Sequence, residues 1–148
     1  MKPPIHLTPH NGLNQGNNCI NVYNCYIFLA NEGNPNTGVM YMRYSQAPPG
    51  DPQGYNFVVS FDPVVNKTVQ IDFTVGIPSV VSTFIIKDQN GHELGRVIRN
   101  SDPNTDKKQP VSFILKNFTG NRVLLQVVSP VVSADIFYFY DCYIHILE

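Results

Sequence analysis

Residues 67–75, KTVQIDFTV, decide the fold. Val69, Ile71, Phe73 and Val75 take one parity, and Thr68, Gln70, Asp72 and Thr74 take the other. An apolar side chain at every second position marks a β-strand with one buried face, because successive side chains on a strand point to opposite sides. A helix would need a period near 3.6, and no segment of the chain sustains one with capping residues.

Short segments of the same kind lie on both sides of this stretch. Upstream are YNCYIFLA (23–30), VMYMRY (39–44) and YNFVVSF (55–61). They are separated by the loop GNPNTG (33–38) and by APPGDPQG (47–54), a proline-rich turn that no helix could cross. A turn is expected at Asp62-Pro63. Downstream, VVSTFIIK (80–87) runs into Asp88-Gln89-Asn90-Gly91, and ELGRVIR (93–99) returns. Asn-Gly tolerates the positive φ of tight hairpin turns. The polar segment NSDPNTDKKQP (100–110) reads as a surface loop, followed by VSFILK (111–116), RVLLQVVS (122–129) and DIFYFYDCYIHIL (135–147). About eight to nine strands at short spacing predict an all-β fold, an antiparallel β-sandwich or barrel. Residues 1–18, rich in Pro, Asn and Gly, read as an extended arm, and 19–148 as a single domain.

The composition narrows the partners. Of 148 residues only 14% are charged, and the net charge is −1. A nucleic-acid binder needs a basic stripe to neutralise phosphates, and an electrostatic membrane anchor needs a basic cluster. No apolar run approaches the roughly 20 residues of a membrane helix. MKPPIHLTPH has no apolar core of the kind a signal peptide carries. An extracellular or cell- or particle-surface location fits the remaining partners.

Catalytic signatures are missing. The chain has no G-x-S-x-G elbow and no phosphate-cradling glycine loop, so no enzyme is expected. The three cysteines make an odd count. One intrachain pair with a free thiol, three free thiols, or a bond between chains all satisfy it. Cys19 and Cys25 are the candidate pair, and Cys142 reads as a small core residue. A zinc site from Cys19, Cys25, Cys142 and His145 is disfavoured, because Cys142 and His145 are three apart on a strand and face opposite ways. His6 and His10 sit among prolines and are assigned to the polar arm.

The order of these elements is recognisable from residue 64 to residue 146. Its marks are Asp88-Gln89-Asn90-Gly91, the turn Thr119-Gly120, the strand 124–128 and the closing Phe139-Tyr140-Asp141. In this order the chain resembles the galactose-binding-like jelly roll of carbohydrate-binding modules. The resemblance implies a jelly-roll sandwich and a non-catalytic, lectin-like module whose partner is a polysaccharide or glycan. It also implies a structural calcium that uses the acid of the last strand, Asp141. Asp88 and Asn90 are the other candidate ligands, since hard cations prefer carboxylate and amide oxygens.

Sugars need aromatic faces for their C–H patches and planar polar groups for their hydroxyls. The chain has no tryptophan, so its 8 tyrosines must supply the rings. Parity puts Tyr41 with Arg43, Gln70 with Asp72 and Thr74, and Asp141 with Tyr143 and His145. If these faces coincide they form one polar–aromatic surface, with Tyr41, Arg43, Gln70, Asp72, Tyr143 and His145 as candidate ligand contacts. The second reading is a structural subunit of a surface layer, appendage, coat or capsid. It would self-assemble as a homo-oligomer through the N-terminal arm, with disulfides between chains. Low charge on exposed strand edges favours such lateral association.

Overall fold

The computed structural model describes residues 3–7, 19–22, 25–30, 39–44, 57–77, 81–103, 108–128 and 137–147; at 19–22, 25–30, 39–44 and 137–138 it describes the backbone alone. Among the described residues are nine strands: β1 (Ile5–Leu7), β2 (Cys19–Val22), β3 (Cys25–Ala30), β4 (Val39–Tyr44), β5 (Phe57–Gly76), β6 (Ser82–Lys87), β7 (Glu93–Arg99), β8 (Gln109–Val128) and β9 (Phe137–Leu147). Every pairing between them is antiparallel.

Two strands of 20 residues organise the molecule. β5 and β8 pair along most of their length, from Phe57↔Leu125 to Val75↔Gln109. At about 3.3 Å per residue each would reach roughly 66 Å if straight, far more than a domain of this size can hold. They bend instead. The register slips between Ser60 and Val64, between Val64 and Lys67, and between Lys67 and Val69. Asn66, Asn117 and Gly120 have φ of 53°, 54° and 144°, and the backbone N–H of Asn66 donates to Thr119 Oγ1 at 2.9 Å. Asn and Gly are the residues that enter positive φ most easily.

The bend corrects two expectations. The turn at Asp62-Pro63 is a kink inside β5, because β8 follows it through the register slips and the ladder resumes beyond. Thr119-Gly120 is likewise the kink inside β8 and not a turn between two strands. Bulges of this kind accommodate proline and glycine within a continuing strand.

The bend turns one sheet into two layers. Residues 68–76 of β5 lie between β9 and the first half of β8, and the layer continues through β4 to β3. Residues 57–60 of β5 lie between β2 and the second half of β8, followed by β6 and β7. Phe57 and Phe139 show that the layers face each other. Phe139 pairs with Val75, eighteen residues along β5 from Phe57, yet the two rings are 5.8 Å apart. Phe73 meets both Phe113 and Phe139 edge-on at 6.4 Å. One continuous core takes Phe57, Val59 and Phe61 from one half of β5 and Val69, Ile71, Phe73 and Val75 from the other.

Gly95 of β7 packs closely against Phe113 of the other layer. A Cβ there would stand 3.1 Å from Phe113 Cδ1 and 3.5 Å from Ile86 Cγ2.

The N-terminal segment joins the sandwich at Ile5–Leu7. These residues pair with Ile144, Tyr143 and Cys142 of β9, and Leu7 is buried in the core. Residues 8–18 lie outside the described residues.

Candidate functional site

The outer face of the first layer follows from the parity of β5 and β9. Val69, Ile71 and Phe73 of β5 point into the core, as do Cys142 and Ile144 of β9. Gln70, Asp72 and Thr74 therefore point outward beside Asp141, Tyr143 and His145, and the register aligns them. Gln70 is opposite His145, Asp72 opposite Tyr143, and Thr74 opposite Asp141. On the far side of β9, His6 of β1 is opposite Tyr143.

One departure from strict alternation makes this face possible. Between Thr74↔Asp141 and Val75↔Phe139 the ladder skips Tyr140. The extra residue switches the parity of β9. Phe139 can thus enter the core while Asp141, two residues on, faces out. The ammonium of Lys108 lies 4.7 Å from the centre of the displaced Tyr140 ring.

The outward side chains form two His–Asp pairs around a central tyrosine. His6 Nε2 lies 3.2 Å from Asp141 Oδ2, and His145 Nε2 lies 3.0 Å from Asp72 Oδ2. A carboxylate can only accept, so in each pair the imidazole N–H donates. Gln70 Nε2 donates to both oxygens of Asp72 at 3.1 Å. The ring of His6 lies parallel to that of Tyr143, with centroids 4.1 Å apart and planes within 1°. His145 flanks Tyr143 at 6.2 Å and 27°. The Oδ1 of Asp141 is buried and accepts no hydrogen bond from a described residue.

These groups contribute little to stability. The paired side chains retain 27–40% of their exposure, and ion pairs at such positions are worth about 0–1 kcal/mol. What they provide is a patch of imidazole, carboxylate, amide and phenol groups in fixed positions. That chemistry suits a polyhydroxylated ligand.

Of the residues nominated from sequence, the structure brings together Gln70, Asp72, Tyr143 and His145. Tyr41 and Arg43 lie on β4, which pairs with β9 at Tyr41↔Tyr138, and their side chains lie outside the described residues. His6 was missed, because the prolines around it suggested an arm. The signal was small: Ile5-His6-Leu7 is one apolar–polar–apolar alternation.

The candidate calcium ligands are on different layers. Asp141 is beside His6, whereas Asp88 and Asn90 are in the β6–β7 turn. There, Asp88 Oδ1 accepts from the backbone N–H of Asn90 and of His92 at 2.9 Å each, and its Oδ2 faces His92 Nδ1 at 3.2 Å. Desolvation works to raise the pKa of Asp88. The bonds from His92 and Asn90 and the charge of His92 outweigh it and hold the carboxyl below its ordinary value. Among the described residues, no three His, Cys, Asp or Glu side chains are grouped to hold a metal ion.

Cys19 begins β2 and Cys25 begins β3, and their side chains lie outside the described residues. Cys142 is a free, fully buried thiol that faces away from His145. Burial pushes its pKa well up, and the charges of Asp141 and Asp72 add to the effect. Among the described residues no helix is long and apolar enough to cross a membrane.

No protein-family model matches the chain, and no curated protein matches it in sequence. Solved structures do. The chain is similar to the CBM22-1 xylan-binding domain of Paenibacillus barcinonensis Xyn10C, with a TM-score of 0.60 and 14% identity over 97% of this chain and 94% of that one. It is also similar to a carbohydrate-binding module of Cellvibrio mixtus lichenase 5A, solved with cellotriose. There the TM-score is 0.57 and the identity 7% over 95% of both chains. A family 35 carbohydrate-binding module from Clostridium thermocellum gives a TM-score of 0.55 and 12% identity, covering 97% of this chain and 98% of that one. At such identities the shared property is the fold: a β-sandwich of the carbohydrate-binding-module type, as the order of the sequence elements implied.

Proposed function

We propose that the chain is a non-catalytic carbohydrate-binding module that holds a polysaccharide or glycan on the outer face of β5 and β9. One observation carries the reading. Gln70, Asp72, Tyr143 and His145, which parity nominated from two separate strands, form a single contiguous network in the fold. Planar amide, carboxylate and imidazole groups around a phenol ring match what sugar hydroxyls and C–H faces require. Fold-level likeness to a xylan-binding domain and to a module solved with cellotriose supports the choice of ligand class, although a shared fold is by itself a weak guide to function.

Likeness of fold to carbohydrate-binding modules favours binding over catalysis. Each carboxylate of the network meets an imidazole, and the thiol of Cys142 is buried on the opposite side. The self-assembly reading draws no support from the structural likenesses.

Glycan-array screening followed by calorimetry with soluble xylan and cellotriose tests the proposal. Binding is expected for the native chain and should be lost in Tyr143→Ala and Asp72→Ala. A folded native chain that binds no glycan overturns the reading.

A further inference from the structure

We propose that β1 is a displaceable strap over the carbohydrate face, and that moving His6 off Tyr143 exposes the ring against which a sugar packs. The proposal rests on the carbohydrate-binding reading above. Its basis is the occupancy of the Tyr143 ring. A pyranose lays its C–H face on the flat face of an aromatic ring. On one side of Tyr143 that place is taken by the imidazole of His6, parallel within 1° and 4.1 Å away. A sugar ring and His6 cannot share it.

His145, the second imidazole near Tyr143, is less readily moved, because it belongs to β9 itself. Its strand is paired with β5, and its ring is held by Asp72. His6 stands instead on a strand of three residues that pairs with the outer side of β9. Leu7, buried in the core, anchors that strand at one end. The imidazole itself is 40% exposed and is held upright by the contact with Asp141 Oδ2. Rotation of the His6 side chain, or release of Ile5 and His6, therefore opens the face while Leu7 remains a tether. Short elements with few buried contacts are the parts of a protein that open most easily.

Two substitutions release the strap in different ways. His6→Ala removes the covering ring, and Asp141→Asn removes the charge that holds it. The native chain, both variants and Tyr143→Ala would be titrated by calorimetry with soluble xylan, cellotriose and any glycan found on an array. His6→Ala and Asp141→Asn are expected to bind about three- to tenfold more tightly than the native chain, the range a single ring contact is worth. Tyr143→Ala is expected not to bind. The ring-proton NMR signals of His6, shifted upfield by Tyr143 in the free native chain, should move to ordinary histidine positions at saturation. If the native chain binds and His6→Ala binds equally or less well, the strap is overturned and the carbohydrate reading stands. If the native chain and all variants fail to bind every glycan tried, the carbohydrate reading fails and the strap with it.

Discussion

His145 reaches diagonally across the β5–β9 ladder to Asp72, with Nε2 3.0 Å from Oδ2, while Gln70, its direct partner in the ladder, donates to the same carboxylate. Three side chains from two strands are thus tied at one point. Replacing His145 with Ala should leave Asp72 held by Gln70 alone. Because the pair is about one-third exposed, the loss of stability is expected to be at most about 1 kcal/mol. Loss of glycan binding should be far larger than that. Urea unfolding and calorimetry on the same variant separate the two effects, and a large drop in stability would contradict this division.

Gly95 makes a prediction about packing. An alanine there would place its Cβ 3.1 Å from Phe113, across the two layers, and 3.5 Å from Ile86 on the neighbouring strand. Crowding a packed core costs about 1–3 kcal/mol. Gly95→Ala should lower the urea midpoint accordingly. Combining it with Phe113→Leu should recover part of the loss, and a double-mutant cycle by urea unfolding measures the coupling.

Cys142 gives stability a dependence on alkaline pH. Burial, reinforced by the charges of Asp141 and Asp72, raises the thiol pKa in the folded chain. The unfolded chain releases that proton from about pH 8.5, while the folded chain keeps it. Above that pH the unfolded state binds fewer protons, so stability falls as pH rises. The contribution is complete below pH about 8.5 and declines by up to about 1.4 kcal/mol per pH unit above it. Urea unfolding at pH 7.5, 8.5 and 9.5 should show this decline in the native chain and a shallower one in Cys142→Ala. Equal slopes would count against the assignment.

Asp88 acts at the acidic end. Its lowered folded pKa means that its contribution is complete above the ordinary carboxylate value near 3.9 and is lost as pH falls through the folded value. Asp88→Ala removes the acceptor of two backbone N–H groups in the β6–β7 turn. A cost of about 1 kcal/mol is expected at pH 7, as for other side-chain caps. The difference in thermal unfolding between the two proteins should shrink as the pH falls through the folded value.

Much of the sandwich was legible in advance because parity is a local property. The side chains of 67–75 alternate, and the core takes Val69, Ile71, Phe73 and Val75 as that pattern requires. Asp141, Tyr143 and His145 could be placed on one side of the last strand for the same reason. Parity could not foresee the extra residue at Tyr140, which turns Phe139 inward. The kinks at Asp62-Pro63 and Thr119-Gly120 look like turns in the sequence, since proline and glycine carry the same local signal in a turn and in a bulge. His6 escaped notice because a three-residue strand has too few positions to show a period.

The sequence by itself determined which residues of each strand share a face, since side chains on an extended backbone must alternate. Tertiary structure alone decided which faces meet. Partners such as Gln70 and His145, or His6 and Asp141, are separated by 75 and 135 residues, and no local pattern encodes pairing over that distance. Burial of one continuous core selects it, by bending β5 and β8 until Phe57 reaches Phe139 and by docking Leu7 into the core beside Cys142 of β9. The neutral, tyrosine-containing surface expected from composition thereby becomes a particular patch, with His6 stacked on Tyr143 and His145 beside it.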